Sequence, residues 1–217
     1  MEYVVYLSRT KIDMLYEQIG KKPFNYSVGG QLELGPVKFE ANKNGDTEKN
    51  YYQKLEKVIS EIPAVSSIFD ENADYITGTM SMYWGTLKHT ESATFWVGHE
   101  DNGVCKTKIL LIGSGQHIIG NNPDSVGIHC SPLACFLNAY HKELEFNQHH
   151  DEVAKLHDDS NIRYIVSTME ADCKHDKLQV LCPYKFLAKC LSQEYRTYDD
   201  GSAENLIIAT PLYVSSV

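Results

Sequence analysis

The chain has 217 residues, of which 42% are hydrophobic and 23% are charged, and both fractions are ordinary for a soluble globular protein. Its 20 lysines and arginines stand against 29 aspartates and glutamates, which gives a formal net charge of −9 at pH 7. This negative charge repels a phosphate backbone, so nucleic acid polymers are excluded as general partners, whereas a local basic pocket can still hold one small anion.

The first predicted elements are a strand and a helix. YVVYL at 3–7 has the composition of a strand, and the helix that follows has an apolar stripe at helical spacing. Its TKID start fits a capping box, with Thr10 as the N-cap and Asp13 reaching back to the first turn. A second amphipathic helix is predicted to begin near Asp46 or Thr47 and to end before Pro63.

The middle of the chain changes from helical periodicity to the alternation of strands. Three short strands are predicted, YITGTMSMYWG at 75–85, ATFWVG at 93–98 and VCKTKILLI at 104–112. The pair Asn102-Gly103 between the last two favours a tight hairpin turn. Because the connections are short, these strands predict an antiparallel meander.

Beyond the meander, helical and strand patterns alternate again. The predicted elements are helices at 131–144 and 148–159, a strand at 162–167, a helix at 183–193 and a strand at 205–214 that bends at Pro211. The whole pattern predicts one α+β domain over residues 1–217, a mixed sheet with a central antiparallel meander packed by several amphipathic helices.

The stretch LLIGSGQHIIGNN at 110–122 resembles three ligand-binding motifs and satisfies none of them. A dinucleotide fingerprint needs a third glycine where Ile118 stands. A phosphate-binding P-loop needs lysine and a hydroxyl where Asn121 and Asn122 stand. A nucleophile elbow needs glycines two residues away on either side of Ser114, and neither is present.

Two readings of this stretch remain open. In the functional one, Gly113, Ser114 and Gly115 end a strand and turn successive backbone N–H groups towards an anion, beside His117. In the structural one, the glycines only supply the positive φ of a plain turn.

A second candidate site is YLSRTKID, at the start of the first helix. It places Ser8, Arg9, Thr10 and Lys11 between a strand and the first helical turn, where free N–H groups and the helix dipole favour an anion. The alternative is an ordinary capped helix whose arginine and lysine are solvated.

Metal and nucleophile sites receive less support. His150 and His157 lie seven residues apart, about 10 Å along a helix, which is too far to share one ion, so we predict no metal site. Cys130, just before the predicted helix at 131–144, is the best candidate thiol nucleophile, because a helix N-terminus lowers the pKa of a thiol. A buried structural cysteine is the alternative.

The sequence contains no targeting signal that we recognise. No apolar stretch approaches the ~20 residues of a membrane helix, and the start lacks the basic region of a secretory signal. The 6 cysteines form no C-x-x-C pair, which predicts reduced thiols. We therefore expect a cytoplasmic protein that needs neither a membrane nor a cofactor.

Three phrases, YVVYLSRTKIDMLYEQI, YITGTMSMYWG and NLIIATPLYV, resemble an uncharacterised bacterial family known only as a domain of unknown function. They lie at the start, the middle and the end, so the resemblance spans nearly the whole chain. It implies a bacterial, cytoplasmic, single-domain protein, and it brings no substrate, cofactor or catalytic residue.

These observations support three hypotheses of function. The leading one is a non-catalytic binding or sensor module for a small anionic ligand such as a nucleotide, held at Ser8–Lys11 and Gly113–His117 if the strands before them run parallel. The second is a phosphoester or acyl hydrolase or transferase that uses His117 with Ser114 or Cys130. The third is an interaction module, with the first strand as an exposed edge that forms a homodimer. The sequence leaves open whether the protein is an enzyme.

Overall fold

The computed structural model describes residues 3–19, 45–62, 65–87, 93–120, 136, 140, 162–175 and 180–217. Within these ranges the strands are β1 (Tyr3–Leu7), β2 (Val65–Ser67), β3 (Tyr75–Thr86), β4 (Ala93–Asp101), β5 (Cys105–Ser114), β6 (Cys182–Thr197) and β7 (Ala203–Ser216). The helices are α1 (Arg9–Ile19), α2 (Gly45–Glu61) and α3 (Ile162–His175), with one turn of 3₁₀ helix at Gly115–His117.

Five of the strands form a closed β-barrel in the order β3–β4–β5–β7–β6, with β6 returning to β3. The contact between β5 and β7 is parallel, and the other four contacts are antiparallel. This is a five-stranded Greek-key barrel, the architecture of OB-folds. The meander of β3, β4 and β5 is present, but the predicted α+β sheet packed by several amphipathic helices is wrong.

The error comes from two segments whose apolar runs are short. Residues 183–193, predicted as a helix, lie in the 16-residue strand β6, and residues 162–167, predicted as a strand, form the start of α3. In β6 the side chains of Tyr184, Phe186 and Ala188 alternate into the core, because this strand is bonded to β3 on one edge and to β7 on the other. Tertiary pairing thus overrides a local pattern that fits both periods.

Side chains from all five strands fill the barrel, and the helices cover its outside. The interior core includes Met82 of β3, Trp96 of β4, Leu111 of β5, Phe186 of β6 and Ile207 of β7. Outside, α3 packs on β4, β5 and β7 in a second core, and α1 and α2 pack on β6 and β7 in a third.

The connection between β2 and β3 closes one end of the barrel. Ile68 inserts into the interior core, and its carbonyl accepts hydrogen bonds from Thr107 Oγ1 and Asn205 Nδ2, both at 3.0 Å. Asn205 is fully buried, and its Oδ1 accepts from Gln193 Nε2 at 3.0 Å. We call the connection between β2 and β3 the plug. The buried side chains of Thr107 and Asn205 hold it in place.

We predict that Asn205→Ala lowers the free energy of unfolding by about 2–3 kcal/mol, because it leaves buried polar groups of the plug without partners. Urea denaturation measures the loss. The matched control is Asn102→Ala in the exposed turn between β4 and β5, where the lost bonds to Val104 N (3.0 Å) and Cys105 N (2.7 Å) can be replaced by water. Equal losses in the two variants would contradict the role of the plug.

Candidate functional site

The strands β1 and β5 lie end to end along one edge of β7. β6 occupies the other edge of β7 from Ala203 to Ser216. On the shared edge, β5 pairs with Ala203–Ala209 in parallel and β1 pairs with Tyr213–Ser216 antiparallel. The condition set for a shared site, that β1 and β5 run parallel, is therefore not met. Their carboxyl ends meet nevertheless, because the two strands approach the same point of β7 from opposite directions.

We call this point the β1–β5 junction: the end of β1, the first turn of α1, the end of β5 and residues Thr210–Leu212 of β7. Here the register between β6 and β7 shifts, since Ala188 opposes Pro211 whereas Leu187 opposes Tyr213, which leaves Leu212 as an extra residue. A bulge is one of the few places where a strand tolerates proline, which has no N–H to donate. The bulge separates the segment of β7 that pairs with β5 from the segment that pairs with β1.

Residues of β1 and α1 bond to β7 at this bulge. The Ser8 N–H donates to the Leu212 carbonyl at 2.8 Å, and Lys11 Nζ donates to the Pro211 carbonyl at 3.3 Å. Lys11 Nζ also donates to Thr210 Oγ1 at 2.5 Å, and the Thr210 hydroxyl in turn donates to the Ile112 carbonyl of β5 at 3.0 Å. The Lys11 side chain thus bonds directly to β7, and through the Thr210 hydroxyl it is linked to β5.

Lys11 is a cation whose hydrogen bonds to the described residues are made to neutral oxygens. Among the described residues, no carboxylate forms an ion pair with it. Burial lowers the pKa of Lys11 to about 8, and it is the only cause of the shift. A largely buried ammonium without a counter-charge destabilises the folded state unless something else compensates it.

Tyr6 fills the barrel end at the junction. Its ring lies edge-on to Trp96, with centroids 5.4 Å apart, and edge-on to His117, with centroids 5.8 Å apart. A Cβ atom at Gly113 would stand 2.6 Å from the Tyr6 hydroxyl oxygen. Gly113 is therefore required by the close approach of Tyr6, and not by positive φ, which neither Gly113 nor Gly115 adopts. The functional reading of this stretch, in which its backbone N–H groups turn together towards an anion, needs such a φ, which neither glycine has.

Three fully buried polar groups at this end of the barrel have no hydrogen bond to any residue that the structure describes: the Tyr6 hydroxyl, the Ser8 hydroxyl and the Trp96 indole N–H. Burial raises the pKa of Tyr6. The Ser8 side chain and the Ser114 backbone lie close enough to oppose that rise, but neither bonds to the hydroxyl with normal length and angle. Each such group lowers the free energy of unfolding. The requirements of folding alone therefore do not explain why these polar groups are present at the junction.

The other residues proposed at the start of α1 are exposed. The Arg9 guanidinium lies 5.4 Å from the centre of the Tyr51 ring, and Thr10 faces solvent. The predicted capping box is wrong, because α1 begins at Arg9 and its Ile12 N–H bonds to the Ser8 carbonyl at 3.0 Å. Asp13 instead binds α2.

The Asp13 contacts explain how α1 is fixed. Its carboxylate accepts from Lys54 Nζ at 2.6 Å and from the Tyr51 hydroxyl at 3.0 Å, and these contacts, Lys54 first, lower the pKa of Asp13. α2 therefore holds the first turns of α1 against the barrel, with Lys11 directed towards β7.

The Gly113–His117 segment is largely internal. Ser114 and Gly115 are buried, and Ser114 Oγ accepts from the Gln116 N–H at 3.4 Å. His117 is half-buried against Tyr6. The alternative nucleophile Cys130 and the predicted helix at 148–159 lie outside the described residues, and so does most of the predicted helix at 131–144.

Sequence reasoning missed Tyr6, Thr210 and Pro211. They reach the site because β1 pairs with β7, and no short-range pattern in the sequence predicts this pairing. Pro211 in an otherwise apolar strand was the one available signal, since proline in a strand marks a bulge or an edge.

The fold and the junction define a helix-covered Greek-key barrel in which a lysine at the meeting point of two strands has no counter-charge among the described residues. A family model described as a family of unknown function, DUF7019, matches residues 2–217, so the chain belongs to this family. The resemblance to a domain of unknown function is thus confirmed. No curated protein and no solved structure matches the chain.

Two further findings concern only the part of the chain that the structure describes. It contains no group of three or more histidine, cysteine, aspartate or glutamate side chains placed to hold a metal ion. None of its helices has both the length and the apolar character needed to cross a membrane.

We predict that Tyr6→Phe raises the free energy of unfolding by about 1 kcal/mol, because it removes a buried hydroxyl that has no partner while keeping the ring between Trp96 and His117. Tyr6→Leu is the control and should lose stability, since it removes the ring itself. Chemical denaturation measures the free energy of unfolding of both variants. A clear loss of stability in Tyr6→Phe would show that the hydroxyl is bonded after all.

We also predict that Lys11→Met is more stable than the wild type at pH 7 in buffers of low anion content, by about 1–3 kcal/mol. Between pH 8 and the ordinary lysine value of about 10.4, the unfolded chain holds a proton that the folded chain has lost, so wild-type stability from this group rises with pH. The advantage of the variant should shrink across that window.

Urea denaturation at pH 7 and pH 9.5 measures this difference. The matched control is Lys106→Met, since the Lys106 side chain is 76% exposed at the far end of β5. A difference between Lys11→Met and the wild type that does not change with pH would contradict the burial of a charged Lys11.

Proposed function

We propose that the protein binds a small anionic ligand at the β1–β5 junction, as a binding or sensor module without catalysis. The observation that carries this proposal is the Lys11 ammonium. Two of its three N–H bonds are directed to neutral oxygens, at 2.5 Å and 3.3 Å, and the third has no partner among the described residues. An anion would supply both the missing acceptor and the missing counter-charge.

The first turn of α1 adds to this attraction. The first N–H groups of a helix have no partner within the helix, and its dipole favours negative charge there. Arg9 and Thr10 are exposed on this turn, so a phosphate or carboxylate group can reach it from solvent. Since α1 is 11 residues long, its dipole is well developed.

Buried hydroxyls beneath the turn support the same proposal. Ser8 directly precedes α1, and its hydroxyl and that of Tyr6 have no hydrogen-bond partner in the part of the chain that the structure describes. Binding sites often keep polar groups that destabilise the free protein and find their partners in a ligand. An anion that bonds to Lys11 would also stabilise the folded protein in proportion to its affinity.

A nucleotide remains one candidate for the anion. Trp96 is buried and cannot stack on a base, but its cross-strand partner Trp84 is 43% exposed and is held by a bond from its indole N–H to Thr94 Oγ1 at 2.9 Å. A base stacking on Trp84 would gain the usual aromatic contact. A cytoplasmic location is part of the proposal, and the free thiols Cys105, Cys173, Cys182 and Cys190 are in keeping with it.

The geometry favours neither alternative function. For an enzyme, Ser114 is fully buried and its Oγ already accepts an N–H bond, which suits a structural turn better than a nucleophile. For a dimer through β1, the free edge of that strand is partly covered, because Ile118 bridges Tyr6 and the Ile119 N–H donates to the Val5 carbonyl at 3.0 Å.

We predict that the double variant Arg9→Ala, Lys11→Ala binds sulfate and nucleoside monophosphates about 2–4 kcal/mol more weakly than the wild type at pH 7. Hydrogen bonds to charged groups supply this amount, and the two losses do not add fully. Isothermal titration calorimetry measures the affinities.

The control is the double variant Lys106→Ala, Lys108→Ala, which removes the same net charge from the far end of β5. It should change the affinity only through the overall charge, which salt screens. Equal weakening in both double variants, or unchanged affinity in the first, would contradict a site at the junction.

A further inference from the structure

The nitrogen of Lys11 has two acceptors on the protein and one open position. The acceptors are Thr210 Oγ1 and the Pro211 carbonyl oxygen, both of them neutral. An ammonium group has three N–H bonds, whereas a neutral amine has two and a lone pair. Either form can donate to the two acceptors. In the neutral amine, the lone pair takes the third position, for which the described residues offer no partner.

Thr210 fixes this arrangement. Its hydroxyl donates to the Ile112 carbonyl at 3.0 Å, so towards Lys11 it can only accept. Thr210 is 4% exposed and held between β5 and β6, which leaves its hydroxyl little freedom to turn. The amine is thus oriented by the fold, with its reactive position directed away from β7.

We propose that Lys11 captures a small oxo acid, a carbonyl compound that carries a carboxylate, as a reversible imine at the β1–β5 junction. The inference rests on the proposed function, because the carboxylate would occupy the anion site at the first turn of α1. The oxo acid is a 2-oxo acid, in which the carbonyl carbon is bonded directly to the carboxylate carbon, so a carboxylate held there brings the carbonyl to the neighbouring lysine.

The chemistry balances without an oxidant or a reductant. The Lys11 lone pair attacks the carbonyl carbon, and the C–O bond breaks as the C=N bond forms. Both amine protons leave with the oxygen as water, and the imine nitrogen takes up one proton from solvent. The protonated imine keeps one N–H, which Thr210 or Pro211 can accept, and its positive charge faces the carboxylate. Hydrolysis reverses the step.

The other lysine at α1 provides a comparison. Lys54 donates to Asp13 at 2.6 Å, and this carboxylate raises the pKa of Lys54 and keeps it protonated. Burial lowers the pKa of Lys11 to about 8, so an appreciable fraction of Lys11 is neutral near pH 7.5. Lys11 is therefore much the better nucleophile of the two.

The test uses the full chain with glyoxylate and sodium cyanoborohydride at pH 7.5, which reduces an imine to a stable secondary amine. Peptide mass spectrometry then locates the label. We expect label at Lys11 to exceed the mean of the other lysines by at least about tenfold. Excess phosphate should suppress it, and Lys106→Arg should leave it unchanged. Because wild-type protein gives the decisive map, the result does not depend on whether a Lys11→Arg control folds.

Label distributed according to exposure, or Lys11 labelled no more than Lys54, would overturn the imine. If phosphate still binds in that case, the proposed anion site survives. Strong Lys11 label that phosphate does not suppress would support the imine and count against the anion site. Equal labelling by acetaldehyde, which has no carboxylate, would overturn the assignment to oxo acids.

Discussion

The bulge in β7 at Thr210–Leu212 is the constraint on which the rest of the junction depends. β7 is bonded along both edges, yet one edge is shared by two strands that run in opposite directions. Two strands cannot meet end to end without leaving polar groups of β7 exposed between them. Pro211 removes one donor at this position, and Ser8 and Lys11 bond to the carbonyls of Leu212 and Pro211. The gap in the sheet is thus closed by a helix start that carries a cation.

The two ends of the barrel are closed by similar strand arrangements, in which two strands share one edge of a third. β3 also shares one edge between two strands, β2 at Tyr75–Thr77 and β4 at Met82–Thr86. Each arrangement brings one side chain into the barrel, Ile68 at one end and Tyr6 at the other, and each lies against a glycine. A Cβ atom would stand 2.8 Å from Ile68 at Gly78 and 2.6 Å from Tyr6 at Gly113. The ends differ in chemistry, because Thr107 and Asn205 bond to the Ile68 carbonyl, whereas the hydroxyls of Tyr6 and Ser8 have no hydrogen bond to a described residue.

Local sequence patterns predict the elements whose periodicity or turn residues are distinctive. They do not predict that five strands close into a barrel. The first helix, the Asn102-Gly103 turn and the final strand with its bend at Pro211 follow from periodicity and turn chemistry. β6 could not be recognised, because its apolar residues fit a helix until pairing with β3 and β7 is known. The sequence indicates Ser8 and Lys11 because they stand at the start of a helix, but Thr210 lies 199 residues from Lys11 in sequence and contacts it only in the folded barrel. Asp13 fits a cap equally well in sequence, and its pairing with Lys54 depends on where α2 packs.

Lys11 is held by the neutral oxygens of Thr210 and Pro211, and we propose that it binds an anion. The most direct measurement is an NMR titration of the Lys11 ε-methylene group, assigned with Lys11→Arg, in a buffer free of binding anions and again with sulfate. We predict a pKa near 8 in the first titration, and a higher pKa with sulfate, because a bound anion favours the charged form. A pKa near the ordinary lysine value of about 10.4 in both titrations would contradict the account.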